Sequence, residues 1–182
     1  MEPPVVTKSG YSYRLVNIDC LPHSTHFNIL MELDRSVESL LPYLTAILPG
    51  CTYVHGTGVV QLMDRGHIVA IYSNRLTITD VRDHIEAEAL CDEYFGLIER
   101  AERERPHLTP VLRRQSSISV LDIFRQLPQT NCGQCQLPTC LAFAAAVFRR
   151  ESPVAACQPV QQAPSDFDEL LALLRANGYP TP

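Results

Sequence analysis

Three cysteines fall within nine positions in TNCGQCQLPTC, residues 130 to 140, and a fourth follows in AACQP, giving the spacing Cys132-x2-Cys135-x4-Cys140-x16-Cys157. Thiols this close serve either as metal ligands from one tight loop or as half-cystines of a disulfide framework. Length and composition separate the two. A chain of 182 residues, 46% of them hydrophobic, can bury a core without covalent staples. Its seven cysteines are an odd number. The opening MEPPVVTKSG has no basic region followed by an apolar one, and no apolar run approaches about 18 residues. A cytoplasmic protein with no membrane span is therefore expected, and in that compartment thiols stay reduced.

A loop carrying three thiolates can pass over one side of a metal core while a remote fourth closes the other. Four thiolates on four irons is the requirement of a 4Fe-4S cluster, whereas four around one zinc make a closed structural tetrahedron. Zinc sites more often pair two separated CxxC knuckles, and here a single CxxC stands beside two isolated cysteines. Gly133 permits close backbone approach, and Pro138 turns the chain without offering a donor. Thr139 can cap a helix that Cys140 opens, aiming a positive helix end and its free N–H groups at the sulfurs. Leu137, Leu141, Phe143 and Phe124 are candidates to shield such a site from water.

The run LPQTNCGQCQLPTCLAFAAAV with the downstream AACQP resembles the 4Fe-4S domain family found in the large subunit of the corrinoid/iron-sulfur protein and in the B subunit of Rnf-type electron-transport complexes. The resemblance covers about residues 118 to 160. It implies one low-potential 4Fe-4S cluster as cofactor, with Cys132, Cys135, Cys140 and Cys157 as its ligands. It further implies single-electron transfer to a partner metalloenzyme or corrinoid protein in anaerobic metabolism, with the chain itself a non-enzymatic carrier. One departure is Gln136, where the family usually has Gly. No corrinoid-binding barrel and no membrane anchor follow, so the resemblance carries over the cluster and not the family's substrate chemistry.

The elements that must position these thiols read as an α+β protein. YSYRLVNIDC and HFNILMELD are extended runs, and Val37, Leu40, Leu41, Leu44, Ile47 and Leu48 follow a helical period that Gly50 stops. Pro42 calls for a late start or a bent first turn. Residues 51 to 80 read as a meander of hairpins. A helix through VRDHIEAEALCDEYFGLIERAERER follows, capped by Asp80, with Val81, Ile85, Ala89, Tyr94, Leu97, Ile98 and Ala101 facing inward. This predicts an antiparallel sheet with two helices on one face over residues 11 to 105, in an order like one half of the TATA-binding-protein saddle. Residues 106 to 117 read as a linker, and 118 to 160 as a small helical cluster module opened by a helix capped at Ser117 or Ser119. A C-terminal helix over 165 to 178, capped by Ser165 and stopped by Gly178, completes the chain.

Other reactive residues have simpler readings beside the functional ones. Cys51 and Cys91 read as small buried apolar residues. Cys20, His23 and His26 form a Cys/His set that could bind a second metal, and turn residues between two strands explain them equally well. His55 reads as a hairpin residue, and His67 and His84 as surface positions. Arg113, Arg114, Arg149 and Arg150 are candidates for a basic rim that meets an acidic partner, against the plainer reading of helix-end and linker solubility. The net charge of -5 counts against nucleic acid as a partner. Against the electron carrier stand a cluster-dependent regulator, a cluster maturation factor and a zinc-stabilised interaction module.

Overall fold

The computed structural model describes residues 3–17, 24–48, 50–114 and 118–182. They fold into two compact units, one built on a β-sheet and one built of short helices. Among the described residues, no helix is long and apolar enough to cross a membrane.

The first unit is an eight-stranded antiparallel sheet with two helices, so the chain is α+β as the sequence predicts. Its strands are β1 (Val6–Lys8), β2 (Tyr11–Asn17), β3 (Phe27–Leu33), β4 (Thr52–Val54), β5 (Val59–Asp64), β6 (His67–Tyr72), β7 (Arg75–Val81) and β8 (Arg113–Arg114). They are ordered β1-β2-β3-β7-β6-β5-β4-β8. Register places buried side chains in rows across one face: Tyr13 opposite Met31, Met31 opposite Leu76, and Leu76 opposite Ile71. A second row runs Leu15, Ile29, Ile78, Val69. Because side chains alternate with a period of two, every residue in these rows faces the same layer. Helices α1 (Leu41–Ile47) and α2 (His84–Glu104) complete that core with Leu41, Leu44, Leu90, Tyr94 and Ile98. Each large apolar side chain buried there contributes about 1.5–3 kcal/mol.

The bent start foreseen at Pro42 is a 3-10 turn over Glu38–Leu40, after which Pro42 sits in the first turn of α1, where no intrahelical N–H is needed. Helix α2 starts later than its sequence period suggests. Asp83, not Asp80, caps it, accepting the N–H groups of Ile85 and Glu86 at 2.9 Å each. Val81 belongs to β7, so the helical phase shifts; Ile85 is 82% exposed, Ala89 is exposed too, and Ala87, Leu90 and Cys91 face inward instead. Asp80 takes a left-handed backbone, φ 63°, and pairs with His26 at 2.7 Å. His67, read as a surface residue, is buried, and its Nδ1–H donates to the Thr79 carbonyl at 2.8 Å.

Both edges of the sheet escape the sequence reading. β1 is three residues long and β8 two, too short to show a period, and each exists through backbone pairing with a longer neighbour. β8 lies inside the stretch read as a linker, where the Val111 N–H also donates to Pro42 O and the Leu112 carbonyl accepts the His55 N–H. Short edges of this kind limit pairing with other chains.

The β1–β2 turn depends on Gly10. Its φ is +92°, and a Cβ built there would run into the Phe95 ring that packs on Tyr11. Gly10→Ala is expected to cost about 1–3 kcal/mol through backbone strain and displacement of that ring. Denaturant unfolding of the sheet unit checks this: the midpoint should fall at constant slope, and an unchanged midpoint would remove the argument.

The second unit holds α3 (Val120–Gln126), α4 (Cys140–Phe148), α5 (Gln158–Gln162) and α6 (Asp168–Ala176) around one core that includes Ile123, Phe143, Val147, Val160, Leu170 and Leu174. Helix α6 thus docks on the cysteine-bearing unit. Its N-terminus differs from expectation: a 3-10 turn, Pro164–Phe167, precedes it, and Ser165 makes no capping bond. Gly178 ends it at φ +72°.

Candidate metal centre

Two capped helices frame the cysteine loop. Ser119 opens α3 with a reciprocal capping box, accepting the Asp122 N–H while the Asp122 carboxylate takes the Ser119 N–H. Thr139 opens α4 by accepting the Ala142 N–H at 3.0 Å, the cap foreseen for it. Between them the backbone turns left-handed four times, at Gln129 (φ 56°), Asn131 (50°), Gly133 (72°) and Gln136 (65°). This repeated reversal coils the segment tightly enough for Cys132 and Cys135 to border the same concavity as Cys140. A tight turn at Gly133–Gln136 is closed by the Gln136 N–H to the Gly133 carbonyl at 2.9 Å. At Gln136, where the resembling family usually has Gly, the backbone is therefore one that favours Gly.

The chain then follows α4, passes a 3-10 turn at Val154–Ala156 and delivers Cys157 immediately before α5. All four cysteines line one concavity that opens to solvent, walled also by Leu137, Phe143 and Pro159. Cys140 and Cys157 are buried in the unit's core, Cys135 is half-buried and Cys132 is exposed. The residues singled out in the sequence are thus brought together. Among the described residues, no three His, Cys, Asp or Glu side chains gather around a single point as one bound ion requires. The four thiols make an all-sulfur donor set of the kind that iron-sulfur clusters take.

Electrostatics at the site come from backbone and burial. Burial pushes the Cys157 thiol up, and the neighbouring Cys135, Cys140 and Cys132 push it the same way, while the Val160 N–H opposes them. The Gln134 N–H, and after it the Thr130 hydroxyl, hold the Cys132 thiol below the usual range. From residue 126 to 148, and again from 152 to 165, there is no Asp, Glu, Lys or Arg. Arg149 and Arg150 do not stand beside the thiols. Arg149 and Arg150 follow the far end of α4, about 13 Å along the helix from Cys140. There Arg149 pairs with Glu151 at 2.8 Å and Arg150 stacks on Tyr179. Arg113 and Arg114 belong to β8 of the sheet unit, where Arg114 donates to Leu48 O.

One contributor escaped the sequence reading. The Asn131 side-chain oxygen accepts the Cys140 N–H at 2.8 Å, so this donor and that of Ala142 go to side chains instead of standing free toward the sulfurs. Asn tolerates a left-handed backbone and carries a short acceptor, the one signal in TNCGQC that could have marked it. Of the Cys20/His23/His26 set, Cys20 and His23 lie outside the described residues, and His26 is engaged with Asp80. Cys51 and Cys91 are buried, as read.

Residues 127–159 match the family model described as "Putative Fe-S cluster". The chain is similar to subunit gamma 1 of the acetyl-CoA decarbonylase/synthase complex of Methanosarcina thermophila, 38% identical over 60 residues, 30% of this chain and 13% of that protein. It is also similar to the corrinoid/iron-sulfur protein large subunit of Moorella thermoacetica, 44% identical over 43 residues, 24% of this chain and 10% of that protein. No solved structure matches the chain. Residues 127–159 thus match an iron-sulfur family model, and the sheet unit lies outside that match. The chain spans about a tenth of the length of the curated relatives it matches.

Two outcomes follow for the metal-free protein. Alkylation consumes thiolate, so its rate rises with pH through each thiol's pKa; the rise for Cys132 should come below that of an ordinary thiol and that for Cys157 above it. Mass mapping of iodoacetamide adducts against pH reads both, and coincident profiles would contradict the described environments. Gln136→Gly should stabilise this unit by about 0.5–1 kcal/mol by relieving the left-handed strain, read as a higher denaturant midpoint at constant slope. A lower midpoint would show that the Gln136 side chain contributes more than its backbone costs.

Proposed function

We propose that this chain is a small electron-transfer protein that holds one 4Fe-4S cluster on Cys132, Cys135, Cys140 and Cys157. The observation that carries the reading is the convergence of these four thiols on one concavity within the segment that matches the iron-sulfur family. When bound, the cluster accepts and releases single electrons. The residues around it bind and shield: Cys140 and Cys157 anchor two thiolates in the apolar core, while Leu137 and Phe143 form dry walls. Cys132 lies on the exposed side, where the path to a partner's redox centre is shortest.

The partner we propose is a metalloenzyme or corrinoid protein in anaerobic metabolism, because the relatives are named as parts of the acetyl-CoA decarbonylase/synthase complex and of the corrinoid/iron-sulfur protein. The sheet unit, from β1 (Val6–Lys8) to β8 (Arg113–Arg114), acts as the recognition surface, and the cluster module follows it in the chain. Helix α6 belongs to that module, since Leu170, Leu171 and Leu174 share its core. The setting is cytoplasmic, and the protein performs no substrate chemistry of its own.

Anaerobic purification with iron, sulfide and zinc analysis, followed by EPR after dithionite reduction, tests this reading. About four irons and four sulfides per chain, with visible absorption that bleaches on reduction, are expected. Cys140→Ser or Cys157→Ser should abolish that absorption while far-UV circular dichroism of the sheet unit persists. One zinc in a colourless protein would sink the electron-transfer reading and leave a structural module.

A further inference from the structure

The geometry points to Asn131 as a positioning residue: it sets the separation of Cys132 from Cys140 and withholds the Cys140 N–H from the cluster sulfurs. The inference rests on the cluster reading above and adds a residue that carries no thiol.

Cys132 and Cys140 come from opposite ends of the loop, one exposed in a coil and one at the first position of α4. Asn131 precedes Cys132 directly, and its side chain reaches nine residues forward to the Cys140 N–H at 2.8 Å. That single bond closes the segment from 131 to 140 and ties one thiol's backbone to the other's before any metal binds. The bond needs two properties at once. The backbone at 131 is left-handed, φ 50°, and the acceptor must sit on a short side chain; Asn supplies both.

The bond also decides where a strong donor goes. The first N–H groups of a helix have no intrahelical partner and would otherwise turn to the nearest anion. Thr139 takes the Ala142 N–H and Asn131 takes that of Cys140, so two donors of the first turn are committed to side chains. Hydrogen bonds to cluster sulfurs stabilise the more negative, reduced state and raise the potential. An N–H committed to Asn131 cannot do so.

Two variants separate acceptor from backbone. Asn131→Gly keeps the left-handed freedom and deletes the acceptor; Asn131→Asp keeps an acceptor of the same length. In the metal-free protein, amide exchange at Cys140 should be about tenfold faster in Asn131→Gly and unchanged in Asn131→Asp. In the loaded protein, Asn131→Gly should shift the midpoint potential positive and lose its cluster to an iron chelator roughly tenfold faster, the lower end for outer-shell partners. Asn131→Asp should keep the slow stripping rate, with a negative shift from its added charge. Wild-type exchange and wild-type potential in Asn131→Gly would overturn the inference and leave the cluster reading standing, as would an Asn131→Asp that strips as fast as Asn131→Gly. A wild-type protein that takes up no iron or sulfide would overturn both.

Discussion

Thiolates held around one concavity repel one another, and Cys157 is also withdrawn from water into an apolar core. Both effects favour the neutral thiol, as the upward push on Cys157 by burial and by its three neighbours records. A site that binds metal through thiolates must offset this. The offset here comes from the backbone, because no cationic side chain occurs in either segment that carries the thiols. The Gln134 N–H faces Cys132, and the Val160 N–H faces Cys157. The left-handed turns at Gln129, Asn131, Gly133 and Gln136 bring the loop back on itself so that these dipoles are close at hand. Each turn at a non-glycine residue costs about 1–2 kcal/mol, which the rest of the unit must cover.

That cover is the helical core. Ile123 from α3, Phe143 and Val147 from α4, and Leu170 and Leu174 from α6 pack into the cluster of residues that also encloses Cys140 and Cys157. The C-terminal helix is therefore part of the candidate site's foundation, although it supplies no thiol. Its amphipathic face is plain in the sequence, with Leu170, Leu171 and Leu174 at helical spacing, but the period alone says that a face is buried and not against what.

The same limit explains what was legible and what was not. Cysteine spacing singled out the four thiols that line one concavity, because that signal is written in residue type, and the caps at Ser119 and Thr139 are written the same way. The rows of the sheet were legible as alternation in YSYRLVN and HFNILMEL. Phase was lost at α2, where a strand ending in Val81 continues an apolar pattern into a helix that starts only at His84. β1 and β8 were missed because two or three residues hold no period and owe their conformation to a neighbouring strand. His67 was misplaced because its burial depends on a carbonyl twelve residues away, and Asn131 because its partner lies nine residues away. Contacts set by tertiary geometry leave only a permissive residue type behind.

The charge pattern, unlike those contacts, can be read straight from the chain. The overall charge of -5 is not distributed evenly: residues 126 to 148 and 152 to 165 have none of it. On the proposed reading, an added electron would meet no cation from the two segments that carry the thiols, and the dry walls at Leu137 and Phe143 would screen it weakly. Both push the potential negative. Solvent at the exposed Cys132 side works the other way, as does each backbone N–H aimed at sulfur. The balance places the leverage in hydrogen bonds, since charge is absent and the apolar walls are fixed by packing. In a site so arranged, the assignment of a single N–H, to sulfur or to a neighbouring side chain, is a main means by which the sequence can adjust how readily the electron leaves.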